Sequence, residues 1–170
     1  FADPLNRRQV VRMAGRFPNA AIVLAHVGRA YYLRNIVGSL EDVAGLPNVF
    51  YDLAMLNNWE VLEYLFARVP SERILFGTDM PISIAPGKSV EINDQYTYVT
   101  PVPWDLSIHD GRGRIRFTSF AYEEIRAVRK AVERLGLDRR FVEDIFFDSG
   151  MRLLERTMAA AGTAARKGTA

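Results

Sequence analysis

The sequence predicts an α/β fold with a parallel sheet, and two observations carry this prediction. Apolar runs of strand length alternate with stretches whose apolar residues follow helical spacing. The runs cover residues 20–25, 49–53 and 73–76, and such alternation is typical of consecutive βα units. Doubly wound sheets and (β/α) barrels share this rhythm, so the periodicity alone leaves both architectures open.

Helix signals separate these runs. Asp3 followed by Pro4 predicts a helix start, Asn57 or Asn58 can cap a second helix, and a weaker helix is expected over residues 31–40. After residue 118 three further helices are predicted, beginning near Ser119, at Asp138 and at Asp148–Ser149. Apolar residues at helical spacing predict the buried stripe of the first of these three, which Gly136 ends: Ala121, Ile125, Val128, Val132 and Leu135.

Residues 82–117 interrupt the βα rhythm. They are rich in turn signals, and they contain two β-prone pieces, residues 96–99 and 114–117, with a turn signal at Asp110–Gly111. A long insertion in a compact domain usually has its own local structure or a function. We therefore expect it to cross the mouth of the sheet and to contain a β-hairpin. The domain is expected to cover residues 1–158, and residues 159–170 are expected to form a flexible tail.

The composition limits the functional classes. The 170 residues contain no Cys, which excludes disulfides, thiolate metal ligands and a Cys nucleophile. A net charge of +2 with no basic stripe predicts no nucleic-acid partner. No apolar run is long enough for a transmembrane helix, so no membrane partner is predicted. We expect a cytoplasmic protein. The chain begins at Phe1, and we expect it to be processed or cut from a longer one.

His26 and Asp79 are the residues most suggestive of chemistry. Each stands at the carboxyl end of an apolar run, just before a turn containing Gly or Pro. Ligands bind at that edge in parallel βα architectures, and an ionisable side chain there is costly unless paired or metal-bound. We expect both side chains to point into one pocket. Arg29 could bind a substrate carboxylate or form a surface ion pair, whereas Asp52 is expected to be structural.

Four segments carry a family resemblance. Residues 17–28 (FPNAAIVLAHVG), 46–53 (LPNVFYDL), 73–81 (RILFGTDMP) and 145–154 (IFFDSGMRLL) resemble the amidohydrolase superfamily. The nearest branch holds aminocarboxymuconate-semialdehyde decarboxylase and related metal-dependent hydrolases. The third segment is the most specific. In the fourth, Asp148 or Ser149 stands where the branch commonly has Asn.

The resemblance implies a partial (β/α)8 TIM barrel, with strands six to eight plus the C-terminal helices. It also implies that Asp79 binds one divalent metal, most often zinc, and that His26 orients or deprotonates the attacking water. The branch takes its other ligands from a His-x-His-like pair on strand one and a His on strand five. Those strands have no counterpart here, and His109, the other histidine, lies in the insertion.

The function expected is therefore that of a metal-dependent hydrolase acting on a small carboxylate-bearing substrate. A non-oxidative decarboxylase of the same branch and a non-catalytic barrel fragment that acts as a binding module stay open as alternatives. We expect the 170-residue chain alone to be inactive, and the parent enzyme is a candidate homodimer.

Overall fold

The computed structural model describes residues 1–104, 107–110 and 112–167, with the backbone alone for 161–167. Gly111, half of the turn signal at Asp110–Gly111, lies outside these residues. No helix in the described part is long and apolar enough to cross a membrane.

Three parallel strands form the central sheet, in the order β1-β2-β3. They are β1 (Ile22–Leu24), β2 (Val49–Asp52) and β3 (Ile74–Leu75), with Ile22 opposite Val49 and Tyr51 opposite Ile74. All three fall inside the apolar runs, which confirms the βα rhythm. Within the described residues the sheet is open: β1 and β3 each pair on one side only. The structure thus shows a partial α/β fold and no closed barrel.

The helices follow in chain order, and several turns lie among them. The helices are α1 (Pro4–Arg16), α2 (Leu33–Ile36), α3 (Glu41–Ala44), α4 (Trp59–Phe66), α5 (Phe120–Leu135), α6 (Arg139–Glu143) and α7 (Ser149–Lys167). Single 3-10 turns cover Ser71–Arg73 and Ile82–Ile84, and a π-helical segment, Asp144–Asp148, joins α6 to α7. Residues 159–167 continue α7, and 168–170 lie outside the described part, so the flexible tail stays a prediction.

The capping signals of the sequence are confirmed. The side chains of Asp3, Asn58, Ser119 and Asp138 each accept a hydrogen bond from a backbone N–H in the first turn of α1, α4, α5 and α6. Gly136 ends α5 in the left-handed conformation, at a φ of 63°. These signals succeed because a cap is a local hydrogen bond between residues two or three positions apart.

The expected stripe of α5 is confirmed at Val128, Val132 and Leu135, which lie in the core or pack against it, and is wrong at Ile125. The helix expected over residues 31–40 is wrong in its length. Ile125, placed in the stripe, is 44% exposed, whereas Glu123 and Glu124 are buried with Ala127, Val128 and Ala131. The buried face of α5 includes these two glutamates because both have partners on neighbouring segments. Residues 31–40 contain only the single turn α2, because the chain extends again at Val37.

The insertion forms a second, three-stranded sheet. Its strands are β4 (Lys88–Ile92), β5 (Gln95–Thr100) and β6 (Ser107–His109). β4 and β5 form an antiparallel hairpin, which confirms that the insertion contains one, but its strand pairing and turn are not those that the β-prone pieces and the Asp110–Gly111 signal indicated. β6 pairs parallel to β5. The hairpin turns at Asn93–Asp94, where both residues have positive φ. Residues 114–117 form no strand, so that part of the expectation is wrong.

Polar contacts hold the hairpin against the carboxyl edge of the parallel sheet. The Glu91 carboxylate accepts hydrogen bonds from the backbone N–H of Leu33 and the side chain of Asn58, and Asn57 accepts one from the backbone N–H of Ser89. Where the insertion begins and ends, Ala85 accepts a hydrogen bond from the N–H of Phe120. The insertion therefore leaves and re-enters the domain at one place and lies across the strand ends.

Candidate functional site

His26 and Asp79 are brought together at the carboxyl ends of β1 and β3. The His26 Nε2 atom lies 3.8 Å from Asp79 Oδ2. On the other side of the imidazole, Nδ1 lies 2.9 Å from the carbonyl oxygen of Ala54. A carbonyl oxygen only accepts, so Nδ1 donates this hydrogen bond, and the tautomer that does so has its lone pair at Nε2. The ring is thus oriented to accept a proton, or to bind an electrophile, on the side of Asp79.

A left-handed turn carries both His26 and Arg29. His26, Val27, Gly28 and Arg29 have φ values of 54°, 49°, 64° and 63°. Hydrogen bonds close the turn, from the N–H of Gly28 to Ala25 and from that of Ala30 to His26. A Cβ on Gly28 would lie 2.2 Å from the ring of Phe1, so a larger residue there would require that ring to move.

Backbone strain is concentrated around this site. Each non-glycine residue in the left-handed region costs roughly 1–2 kcal/mol. Among the described residues seven have positive φ without being glycine, and two of these form the hairpin turn. The other five stand just after the ends of the three parallel strands: His26, Val27, Arg29, Met55 and Asp79. Strain of this kind persists where the fold over-determines a geometry, which is common at functional sites.

Asp52, which the sequence suggested to be structural, is the third carboxyl-edge residue of the site. Its Oδ1 accepts a hydrogen bond of 2.8 Å from the N–H of Ala54. Burial raises the pKa of Asp52, and the Asp79 carboxylate raises it further, against the lowering effects of the Ala54 hydrogen bond and of His26. Asp52 therefore lies within electrostatic reach of both candidate residues. Its hydrogen bond to the Ala54 N–H agrees with the structural role that the sequence suggested.

Gly77 provides the space for Asp52. A Cβ on Gly77 would lie 2.5 Å from Asp52 Oδ1, well inside van der Waals contact. Gly77 begins the Gly-Thr-Asp segment that leads from β3 to Asp79. The glycine thus allows the chain carrying Asp79 to pass close to the Asp52 carboxylate.

Arg29 faces the aromatic surface of the inserted hairpin. Its Nη2 donates a hydrogen bond of 3.2 Å to the hydroxyl of Tyr96 on β5. The ring of Tyr96 lies 4.6 Å from that of Tyr31, which in turn stacks 5.8 Å from the His26 ring. Burial raises the pKa of Tyr98, and Asp79 is one of the charges that raise it further. Tyr31, Tyr96 and Tyr98 therefore form an aromatic wall beside the His26–Asp79 pair.

The comparison with protein families decides the assignment. Residues 1–95 match the family model described as Amidohydrolase, and this span is more than half of the chain. The chain belongs to the amidohydrolase family. The match covers His26, Arg29, Asp52 and Asp79 and ends within the inserted sheet. The comparisons with curated proteins and with solved structures each found no match.

The metal that amidohydrolases generally use requires more donors than this part of the chain supplies. His26 Nε2 and the Asp79 carboxylate are donors of the right chemistry for a divalent metal. A catalytic zinc commonly has three protein ligands. In residues 1–104, 107–110 and 112–167, no three His, Cys, Asp or Glu side chains are grouped to hold an ion. His109 lies exposed on β6. The donor set therefore fits a metal only in part.

Proposed function

We propose that this amidohydrolase is a metal-dependent hydrolase of a small carboxylate-bearing substrate, and that the described residues form one side of its active site. The observation that carries the proposal is the convergence of His26 Nε2 and Asp79 Oδ2, 3.8 Å apart, at the carboxyl edge of a parallel sheet. The assignment of β1, β2 and β3 as strands six, seven and eight of a (β/α)8 barrel rests on the motif resemblance. So does the placement in the branch of aminocarboxymuconate-semialdehyde decarboxylase.

A bound divalent metal, with zinc the first choice, supplies a nucleophilic water near neutral pH and polarises a carbonyl group. Asp79 is the residue of this chain that we assign to the metal. Its side chain is about half exposed, so its oxygens are accessible to a ligand. The remaining ligands would come from residues outside those described.

His26 is assigned to proton transfer or to the orientation of water. The Ala54 carbonyl holds the proton on Nδ1, which keeps the Nε2 lone pair on the side where Asp79 lies. General bases of this kind contribute about 10²–10⁴-fold to a rate. Asp52 lies beside the pair, where burial raises its pKa and the Asp79 carboxylate raises it further.

Arg29 is assigned to the substrate. Its guanidinium is exposed on the left-handed turn, and one nitrogen is bonded to Tyr96 while the others stay available for a bidentate contact with a carboxylate. The aromatic wall behind it provides an apolar surface for the rest of a small molecule. Both features support a substrate that combines a carboxylate with an unsaturated or apolar body.

The proposal is tested with Asp79→Asn in the full-length protein, against a panel of small carboxylates that carry an ester, lactone or amide bond. The change keeps the size of the side chain and removes its charge, so we expect kcat to fall by about 10²–10⁴-fold. Chelation should abolish turnover in the unaltered protein, and zinc should restore it. Carbon dioxide release, measured together with the carboxylate product of hydrolysis, separates decarboxylation from hydrolysis.

Asp94→Asn is the matched control. Asp94 is an exposed carboxylate at the hairpin turn and pairs with Arg34 at 3.1 Å, so its loss should leave kcat and zinc dependence unchanged. Wild-type turnover by the Asp79→Asn protein would remove Asp79 from the mechanism. Turnover that survives chelation would contradict metal dependence.

A further inference from the structure

Glu124 is a buried carboxyl group that the proposed mechanism does not use. It lies on α5, beyond the residues that match the family, and its side chain is completely buried. Oε2 accepts a hydrogen bond of 3.0 Å from the backbone N–H of Met55, while Oε1 is buried with no hydrogen-bond partner among the described residues. An orphaned polar atom in the core is costly, so its retention requires an explanation.

The charge state of Glu124 follows from this environment. Burial raises its pKa to about 9, the Asp52 carboxylate adds to the increase, and the hydrogen bond from Met55 opposes it. The group is therefore protonated near neutral pH. A neutral carboxyl group accepts the Met55 hydrogen bond without placing a second full negative charge next to Asp52.

The peptide group that Glu124 holds is the one that orients His26, because the Ala54 carbonyl and the Met55 N–H belong to the same peptide bond. Met55 has a φ of 62°, a conformation that a non-glycine residue rarely keeps without support. The preceding residue, Ala54, makes both contacts that tie this loop to the site. Its N–H donates to Asp52 at 2.8 Å, and its carbonyl oxygen lies 2.9 Å from Nδ1 of His26.

We propose that Glu124 is a positioning residue for His26. By holding the N–H of Met55, it fixes the Ala54 carbonyl, which keeps the proton of His26 on Nδ1 and the Nε2 lone pair beside Asp79. Two hydrogen bonds thus connect α5, the loop after β2 and the imidazole. The positioning itself is a structural property; its value for catalysis rests on the proposed function.

The loop has other anchors, so the loss of Glu124 should displace it without unfolding the domain. Leu53 donates its N–H to Leu75 of β3 at 3.0 Å, and the side chain of Asn57 donates to the carbonyl of Phe120 at 3.0 Å. The segment between them contains Ala54 and Met55. A change at Glu124 is therefore expected to act locally on the His26 acceptor.

The test compares Glu124→Met and Glu124→Gln in the full-length protein. Met has a similar length and no acceptor for Met55, whereas Gln keeps an acceptor oxygen and stays neutral. Glu123→Met is the matched control: Glu123 is the neighbouring buried glutamate on α5, and its contacts are with Lys88, Thr118 and Arg126 rather than with the loop. Circular dichroism and thermal melting identify which variants are folded.

The first readout is the tautomer of His26, from ¹⁵N NMR of histidine-labelled protein, with the signal assigned by its absence in His26→Asn. We expect one tautomer, with the proton on Nδ1, in the unaltered protein, in Glu124→Gln and in Glu123→Met. A mixture of tautomers is expected in Glu124→Met. The second readout is kcat on the panel carboxylate used for Asp79→Asn, which should fall by about 10–100-fold in Glu124→Met and be largely rescued in Glu124→Gln.

The outcomes separate this inference from the proposed function. A folded Glu124→Met protein with an unchanged His26 tautomer overturns the positioning role, and so does a Gln variant that disturbs the ring as much as Met does. If the tautomer changes as expected but His26→Asn retains full turnover, the positioning role is confirmed and the function assigned to His26 is the part that fails.

Discussion

Replacing Glu124 with Gln should stabilise the protein, by an amount that increases with pH. The native pKa of Glu124 is raised to about 9 from an ordinary value of 4.5. Between these two pH values the unfolded chain has lost the proton that the native state keeps. Native stability therefore falls as pH rises through this window, by about 1.4 kcal/mol per pH unit. Gln carries no such proton, so the variant avoids this loss.

The gain in stability depends on how far the pH lies above 4.5, the ordinary pKa of a glutamate. At pH 7, roughly 2.5 units above it, the gain is about 3 kcal/mol; at pH 8 it is about 5 kcal/mol, and near pH 4 it vanishes. These figures are for the pH-dependent part of the gain. The Gln amide brings two N–H donors into the buried space where Oε1 has no partner among the described residues, which adds a cost that does not change with pH.

Urea unfolding of the full-length protein at pH 5, 6, 7 and 8, followed by tryptophan fluorescence, measures this dependence as a shift of the midpoint at constant m-value. Glu123→Gln is the control with the opposite sign. Burial opposes the ionisation of Glu123, but the hydrogen bond from Thr118 and the cations Lys88 and Arg126 prevail and lower its pKa. That variant should lose stability at pH 7. A gain for Glu124→Gln that does not change with pH would refute a protonated Glu124.

Three other changes have defined outcomes. Gly77→Ala places a Cβ 2.5 Å from Asp52 Oδ1, so we expect it to lower kcat of the full-length protein by about tenfold or more. Gly45→Ala, which has open space around its Cβ, should leave kcat unchanged. Steady-state kinetics compares the two variants, and circular dichroism shows whether each is folded. Arg29→Lys should raise KM by about tenfold at nearly constant kcat, because Lys lacks the bidentate fork; an unchanged KM removes Arg29 from substrate binding. The 170-residue chain alone should self-associate through the exposed apolar residues of α7, such as Leu154; light scattering that shows a stable monomer would contradict this.

What the sequence determined by itself was local in origin. The caps at Asp3, Asn58 and Ser119 and the left-handed end at Gly136 depend on hydrogen bonds within one helical turn. The strand positions followed from apolar runs, and the carboxyl ends of parallel strands necessarily meet at one edge. His26 and Asp79 could therefore be paired before any coordinates were known, although 53 positions separate them in the sequence.

Only the tertiary structure decided the contacts between segments that are distant in the sequence. The apolar periodicity of α5 favoured Ile125 as a buried residue, but the helix instead buries Glu124, whose partner is Met55, 69 residues away. Asp52 was expected to be structural because its proximity to Asp79 depends on strand order and on the space left at Gly77. Periodicity records which positions share a face. Which face packs inward depends on the partners that the rest of the fold supplies, and these become defined only when the chain is folded.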